Sequence, residues 1–323
     1  VKALVTGASG FLGGHLVKAL LERGDDVVAL LHGVTESRMP FRDHGGSLTL
    51  AVGSVTDYPL MHALIEREEA DEVYHLAASA IVNFANSFPY ETYEANVRGT
   101  YTVLEAAHMG GAQRVIVASS DKAYGQPTEL PIREDDPLRA TAPYDVSKAC
   151  ADMMARGFSK VYPGLDVAVT RCSNFYGPED LNFSRAVPGF MQDALQGRQI
   201  TVRSDGSPTR DYLYIDDAVS GYLALMDGLR SVELDGKHRI RGEAFNFGTG
   251  VPTSVRQVAE AVVAVSGAQE PVFEGKEKPS IQDQYLNCDK AATRLGWKPK
   301  VDLKEGIVWS YAWYHQHFKG AKA

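Results

Sequence analysis

The chain has 323 residues, 44% of them apolar and 23% charged, with a net charge of −8. That length buries a large core and divides into two lobes. The acidic balance without a basic stripe argues against a nucleic-acid surface, and the apolar runs are too short to cross a bilayer. Lys2–Thr6 reads as a buried strand, followed by Gly7, Gly10 and Gly13 and then by Leu12, Leu16, Ala19 and Leu20 at helical spacing up to Gly24. Val27–Leu31 and Ser47–Val52 are further strands, with a helix from about Pro59 to Glu68. Val73–Leu76 is a fourth strand, Pro89 opens a helix that runs on through Asn96 to about His108, and Arg114–Ala118 is a fifth strand. Tyr144–Tyr162 is helical and Asp166–Arg171 is a sixth strand. This alternation predicts an α/β fold: a Rossmann-like doubly wound parallel sheet covered by helices on both faces.

The alternation breaks near Cys172. Ser173–Asn182 and Asp205–Arg210 read as polar loops around a helix from Ser184 to Gln196 and a short strand at Ile200–Val202. Asp216–Leu229 and Glu243–Phe247 read as a helix and a strand that could return to the first sheet. Thr253 and Ser254 could cap a helix to Ser266, and an aromatic-rich helix runs from Leu303 to about Phe318. The expected division is a cofactor domain at residues 1–172, rejoined by about 211–248. A smaller α/β substrate domain takes about 173–210 and 249–323. Cys150, Cys172 and Cys288 are odd in number and far apart, so no disulfide framework or metal site is expected. With no signal-peptide pattern, the expected location is cytoplasmic.

A strand, a glycine-rich turn and a helix start make a dinucleotide site. Gly7 permits the tight turn, Gly10 admits a pyrophosphate to backbone N–H groups, and Gly13 allows close helix–strand packing. The second strand ends Leu30-Leu31-His32-Gly33, without the acid that often holds ribose hydroxyls, and Arg38 could either meet a 2′-phosphate or be a solvated arginine. NAD and NADP therefore both remain open from the residues alone.

Ser120, Asp121 and Lys122 fall at the carboxyl end of the fifth strand, where open α/β sheets bind ligands. Tyr144 and Lys148, four residues apart, share a helix face. A free tyrosine is a poor base at neutral pH, but a nearby ammonium favours its phenolate. Tyr144 could then take a proton from an alcohol, with Ser120 bonded to the same oxygen. Asp121 and Lys122 could serve as acid and base for losing water next to a ketone, a role in which the lysine must be neutral. The competing reading makes each of these an ordinary surface side chain.

In order along the chain, TGASGFLG at Thr6–Gly13, HLAA at His75–Ala78, NVRGT at Asn96–Thr100, SSDKAYG, YDVSK, RCSNFYGP at Arg171–Pro178, TRDYLYIDD at Thr209–Asp217, FNFGTG at Phe245–Gly250 and LGWKP at Leu295–Pro299 resemble the extended short-chain dehydrogenase/reductase superfamily of nucleotide-sugar epimerases and dehydratases. The Asp-Lys pair and the later segment IQDQYLNCDKAATRLGW are similar to CDP-glucose 4,6-dehydratases, with GDP-mannose 4,6-dehydratases also close. The resemblance implies a bound NAD, with NADP left open, held by Gly7, Gly10, Phe11, Leu12, Gly13, Leu31, His32, Ser54, Leu76, Ala77, Ala78, Asn96, Tyr144 and Lys148. It implies a nucleotide-diphosphate sugar held by Ser79, Asn174, Arg185, Val187 and Arg210, and catalysis by Ser120, Asp121, Lys122, Tyr144 and Lys148. The expected product is an NDP-4-keto-6-deoxyhexose. It also implies a homodimer through a four-helix bundle of about Tyr90–His108 and Tyr144–Tyr162. The family's Gly-Asp after the third strand is Gly53-Ser54 here. A 4-epimerase and a non-catalytic nucleotide-binding scaffold are the alternatives on the same fold.

Overall fold

The inner strands of the main sheet are buried on both faces, as a parallel sheet sandwiched between helices requires, while the edge strand at Leu48–Val52 is half exposed. The computed structural model describes residues 1–33, 41, 46–231, 240–276 and 281–320; Arg38 lies outside the described residues. The first half runs β1 (Lys2–Thr6), α1 (Phe11–Arg23), β2 (Asp26–Leu31), β3 (Leu48–Val52), α2 (Tyr58–Arg67), β4 (Glu72–His75), α3 (Val82–Ser87), α4 (Pro89–Tyr93), a π-helical turn at Glu94–Arg98, α5 (Gly99–Met109) and β5 (Arg114–Ala118). A 3-10 turn at Asp121–Tyr124 follows, then α6 (Pro143–Val161), β6 (Asp166–Cys172), β7 (Asn174–Tyr176), α7 (Ala186–Leu195), β8 (Thr201–Val202), β9 (Thr209–Arg210), β10 (Tyr212–Tyr214), α8 (Ile215–Arg230) and β11 (Ala244–Phe247). The chain ends with β12 (Thr253–Ser254), α9 (Val255–Ser266), β13 (Val272–Phe273), β14 (Asp283–Gln284), α10 (Asp289–Leu295) and α11 (Leu303–Gly320).

The main sheet has seven parallel strands in the order β11-β6-β5-β4-β1-β2-β3, so the winding reverses between β1 and β4. Alternate side chains go to opposite faces. Val5, Ala29, Tyr74, Ile116 and Phe245 pack with α1 and α8, and Leu4, Val28, Val73, Val115 and Val167 pack with α2, α5 and α6. A third apolar cluster joins α7, α9 and α11 through Met191, Val258, Val262 and Tyr314. Ser254 caps α9 in a capping box with Gln257.

Three features depart from the sequence reading. The stretch from Pro89 to His108 is not one α-helix: the π turn interrupts it. The extra residue swings Asn96 inward, where its Oδ1 accepts from the Ser79 N–H at 2.7 Å and its Nδ2 donates to the Ser147 hydroxyl at 2.9 Å. The two polar loops contain β7 and β9, whose partners, β10 for the first and β12 and β14 for the second, are distant enough in sequence to leave no local pattern. Helices α3 and α10 and strands β10, β13 and β14 were not expected at all.

A buried ion pair ties the sheet to the 3-10 turn at Asp121–Tyr124. Arg171 on β6 donates to Asp152 on α6 at 2.7 and 3.0 Å, and to Tyr124 Oη and the Glu134 carbonyl, each at 2.9 Å. Arg171→Met would leave the buried Asp152 carboxylate with only the half-exposed Arg156, 3.7 Å away, so a loss of roughly 3–5 kcal/mol in urea unfolding is expected. A loss within experimental error would mean that water reaches the pair.

Candidate active site

One cavity of about 940 Å³ runs from the glycine turn, across the carboxyl ends of β1, β4 and β5, to α7 and β9. That is the switch point of the sheet, where the two halves of a doubly wound fold leave a crevice.

At one end lies the glycine turn. Gly7 has φ +71°, and a Cβ there would sit 2.8 Å from the Ala77 nitrogen. A Cβ on Gly13 would overlap the Gly7 carbonyl, so only glycine lets α1 approach β1 this closely. Helix α1 starts without a side-chain cap and without an acid in its first turn. Its leading N–H groups, at Phe11 and Leu12, border the cavity and can take an anion. The turn after β4 is braced by His75. Thr100 Oγ1 donates to the Asn96 carbonyl and must accept from the His75 Nε2 at 3.1 Å, which leaves Nδ1 to accept from Thr6 Oγ1 at 2.9 Å. Burial pushes this imidazole down to about 3, so it is a neutral brace. Thr6 Oγ1 in turn accepts from the N–H groups of Leu76 and Ala77, each at 3.2 Å.

Of the residues expected to hold a cofactor, Gly7, Gly10, Phe11, Leu12, Gly13, His32, Ser54, Leu76, Ala77, Ala78, Tyr144 and Lys148 all line the cavity. Leu31 and Asn96 do not: Leu31 is buried in the sheet core while Leu30 lines the cavity, and Asn96 acts from behind by holding Ser79. The glycine turn, the open helix start and the wall between Leu30 and Val55 together fit a dinucleotide.

In the middle lie the residues expected to be catalytic. Ser120 caps the 3-10 turn, accepting from the Lys122 N–H at 3.2 Å and donating to Asp121 Oδ1 at 3.1 Å. Lys122 Nζ lies 3.1 and 3.0 Å from the two oxygens of the buried Asp121 carboxylate. It also donates to Gln284 Oε1 at 2.6 Å. The neighbour that the lysine finds is thus an anion rather than a cation.

Lys148 is buried, with its Nζ on the Ala118 carbonyl at 2.8 Å, which rules out the solvated-lysine reading. Burial lowers its ammonium to about 8. Burial also raises the Tyr144 phenol to about 12, against a smaller opposite pull from Ser120. The groups that pull it down are Ser120 and Arg185, not Lys148 as expected, and desolvation outweighs them. Asp145, which the sequence reading passed over, is a further carboxylate next door. Burial raises it to about 6, and it feels the charges of Lys122 and Asp121.

The far end carries the expected substrate residues Ser79, Asn174, Arg185, Val187 and Arg210, all lining the cavity. Arg185 pairs with Asp180 at 3.1 Å. The Arg210 guanidinium rests on the carbonyls of Thr209, Gln282 and Ile281 at 2.6, 3.1 and 2.8 Å. Fully buried Asp211 fixes this corner by accepting from the N–H groups of Thr249 and Gly250 at 2.8 and 3.0 Å.

A doubly wound sheet with a glycine turn at its switch point and a Tyr-x-x-x-Lys helix beside it defines a dinucleotide-dependent enzyme of Rossmann type. The profile of the NAD dependent epimerase/dehydratase family matches residues 3–247, and the chain belongs to that family. It is 32% identical to a dTDP-glucose 4,6-dehydratase of Streptomyces griseus over 97% of this chain and 94% of that one. It is also 32% identical to a UDP-glucose 4-epimerase of Mycolicibacterium smegmatis, over 95% and 96% of the two chains. Among solved structures, the UDP-glucose 4-epimerase of Thermotoga maritima superposes with a TM-score of 0.88 at 28% identity, covering 98% of this chain and all of that one. The dTDP-glucose 4,6-dehydratase of Streptomyces venezuelae, with NAD bound, superposes with a TM-score of 0.86 at 27% identity, covering 99% and 98%. Members of both activities are thus equally near.

Proposed function

We propose that this chain is a nucleotide-sugar 4,6-dehydratase. It would convert an NDP-hexose to an NDP-4-keto-6-deoxyhexose by oxidation at carbon 4, loss of water across carbons 5 and 6, and reduction at carbon 6. The observation that carries this reading is the Lys122–Asp121 pair at 3.0 Å, placed beside Ser120 and Tyr144 in one cavity. An epimerase needs an oxidation pair but no second acid and base.

When bound, NAD supplies hydride acceptance and return; the residues around the glycine turn would hold it. Tyr144 takes the proton of the carbon-4 hydroxyl while Ser120 bonds the same oxygen. The resulting ketone acidifies the carbon-5 hydrogen. Lys122 and Asp121 share one proton. Moving it across their hydrogen bond turns ammonium and carboxylate into amine and carboxylic acid, a base and an acid made in one step. The amine takes the carbon-5 proton and the acid protonates the leaving hydroxyl at carbon 6. The pair is then back in the ion-paired form found in the structure. Lys122 returns a proton to carbon 5 as carbon 6 is reduced, and the proton taken by Tyr144 balances the one that left with water.

Residues 1–172 with about 211–248 would hold the cofactor, and about 173–210 with 249–323 the sugar nucleotide. CDP, GDP, UDP and dTDP sugars are all candidates, with CDP or GDP favoured by the resemblance of the Asp-Lys pair. A homodimer through a four-helix bundle of about Tyr90–His108 and Tyr144–Tyr162 would cover Tyr90 and Met153, which are 72% and 66% exposed. Among the described residues, no helix is long and apolar enough to cross a membrane.

The test is mass spectrometry of the protein incubated singly with CDP-, GDP-, UDP- and dTDP-glucose and GDP-mannose, with and without NAD. A product lighter by one water supports the dehydratase and names the nucleotide. A sugar isomer of unchanged mass would make it a 4-epimerase, and turnover of no sugar nucleotide would favour a scaffold.

A further inference from the structure

We propose that Gln284 is a positioning residue for the acid–base pair, holding Lys122 and the Asp121 backbone from the opposite lobe. The inference rests on the dehydratase reading above. Gln284 is fully buried, and its Oε1 lies 2.6 Å from Lys122 Nζ, nearer than either oxygen of Asp121. Its Nε2 donates to the Asp121 carbonyl at 3.0 Å. Turning the amide over would set an NH2 against the ammonium and an oxygen against a carbonyl, so its orientation is determined by its partners.

One side chain thus grips both members of the pair, across more than 160 residues of sequence. It comes from β14, in the small sheet with β9 and β12. There Gln284 is registered against Arg210. Just beyond, Ile132 in the loop after the catalytic turn donates to the Tyr285 carbonyl at 3.0 Å and accepts from the Asn287 N–H at 2.8 Å, so β14 is pinned against the catalytic element. The strand that borders the substrate end therefore also carries the clamp on the pair.

An ammonium has three N–H donors. The two carboxylate oxygens and the Gln284 amide are three acceptors, one for each N–H of the ion-paired lysine, whose side chain lines the cavity. Once Lys122 has passed a proton to Asp121, Gln284 still accepts one N–H. The nitrogen then cannot swing away while its lone pair is in use.

The test compares wild type, Gln284→Leu and Gln284→Glu. Single-turnover reactions with the five sugar nucleotides named above, in deuterated water, follow ketohexose, water loss and label at carbon 5 by rapid-quench mass spectrometry. Acetic anhydride labelling without sugar nucleotide follows the reactivity of Lys122. The leucine variant should keep KM and form the 4-ketohexose, but lose water roughly 10- to 100-fold more slowly, with deuterium entry at carbon 5 slowed in step. Its Lys122 should acetylate several-fold faster than in wild type, being released from one of two holds. Glutamate keeps an acceptor on Lys122 and should recover part of the rate. Should the leucine variant not fold, Gln284→Asn, which withdraws the amide by one methylene, is read in the same way. Water loss at the wild-type rate overturns the proposal, as does a joint fall in kcat and ketohexose formation with unchanged labelling. If wild type itself returns only an isomer, or turns over none of the five, the dehydratase reading fails. The labelling comparison still decides whether Gln284 holds Lys122.

Discussion

Tyr144→Phe is expected to lower kcat roughly 10²- to 10⁴-fold, with cofactor affinity and fold retained. The phenol is the group within the cavity that can take the carbon-4 hydroxyl proton without disturbing the ion pair beside it. Burial holds it near 12 in the protein alone, so almost none of it is phenolate, the form that takes a proton, until the cavity carries more positive charge. Arg185 supplies part of that charge, and the Lys148 ammonium, near 8, is still mostly protonated at neutral pH. Keeping a buried ammonium is costly, and this gives a companion result. The folded value of Lys148 lies below the unfolded one, so the unfolded chain binds more protons between about pH 8 and 10.5. Stability should rise with pH across that window, and the penalty is complete below it. Lys148→Met should therefore raise the unfolding midpoint of the cofactor-free protein at pH 7 and remove that slope, while impairing turnover. A phenylalanine variant with near-normal kcat would reassign proton removal away from Tyr144. Ser120 would then be next in line, since its hydroxyl already touches Asp121.

How much of this was legible in the sequence depends on how far apart the cooperating residues lie. The glycine turn, the Ser120–Lys122 run and the Tyr144–Lys148 spacing are local, and each appears on the cavity wall as read. Leu31 was expected to face the cofactor, but a strand alternates faces and Leu30 takes the cavity side. Asn96 was expected to do the same. The π turn that sends it behind Ser79 has no signature in a pattern of apolar residues. Gln284 lies in the segment IQDQYLNCDKAATRLGW that carries part of the resemblance, but nothing in that segment assigns it a role. Only the pairing of two-residue strands β9 and β14 brings its amide to Lys122, and strands that short carry no periodicity. Asp145 was within reach of inspection, one residue from Tyr144, but nothing in its type distinguishes a half-buried acid from a solvated one. The choice of charge partner for Lys122 was likewise set by the turn geometry, which puts adjacent side chains of Asp121 and Lys122 on the same side.

Replacing Lys122 separates its two possible contributions, charge and base. Lys122→Met leaves the Asp121 carboxylate, 2% exposed, facing Ser120 without a counter-charge. Breaking a buried pair in this way costs about 3–5 kcal/mol, so an inactive methionine variant could be merely a distorted one. Lys122→Arg avoids that ambiguity. The guanidinium keeps the positive charge and can still bond a carboxylate, yet it does not give up its proton in a protein. The arginine variant should unfold at nearly the wild-type urea concentration, bind NAD normally by calorimetry and accumulate the 4-ketohexose in rapid-quench mass spectrometry. Its water loss should be slower by roughly 10²- to 10⁴-fold. That combination would mean that the proton shared by Lys122 and Asp121 must move for water to leave. Near-normal water loss by the arginine variant would mean that the lysine contributes charge alone. The base would then have to be sought among the other residues that line the cavity.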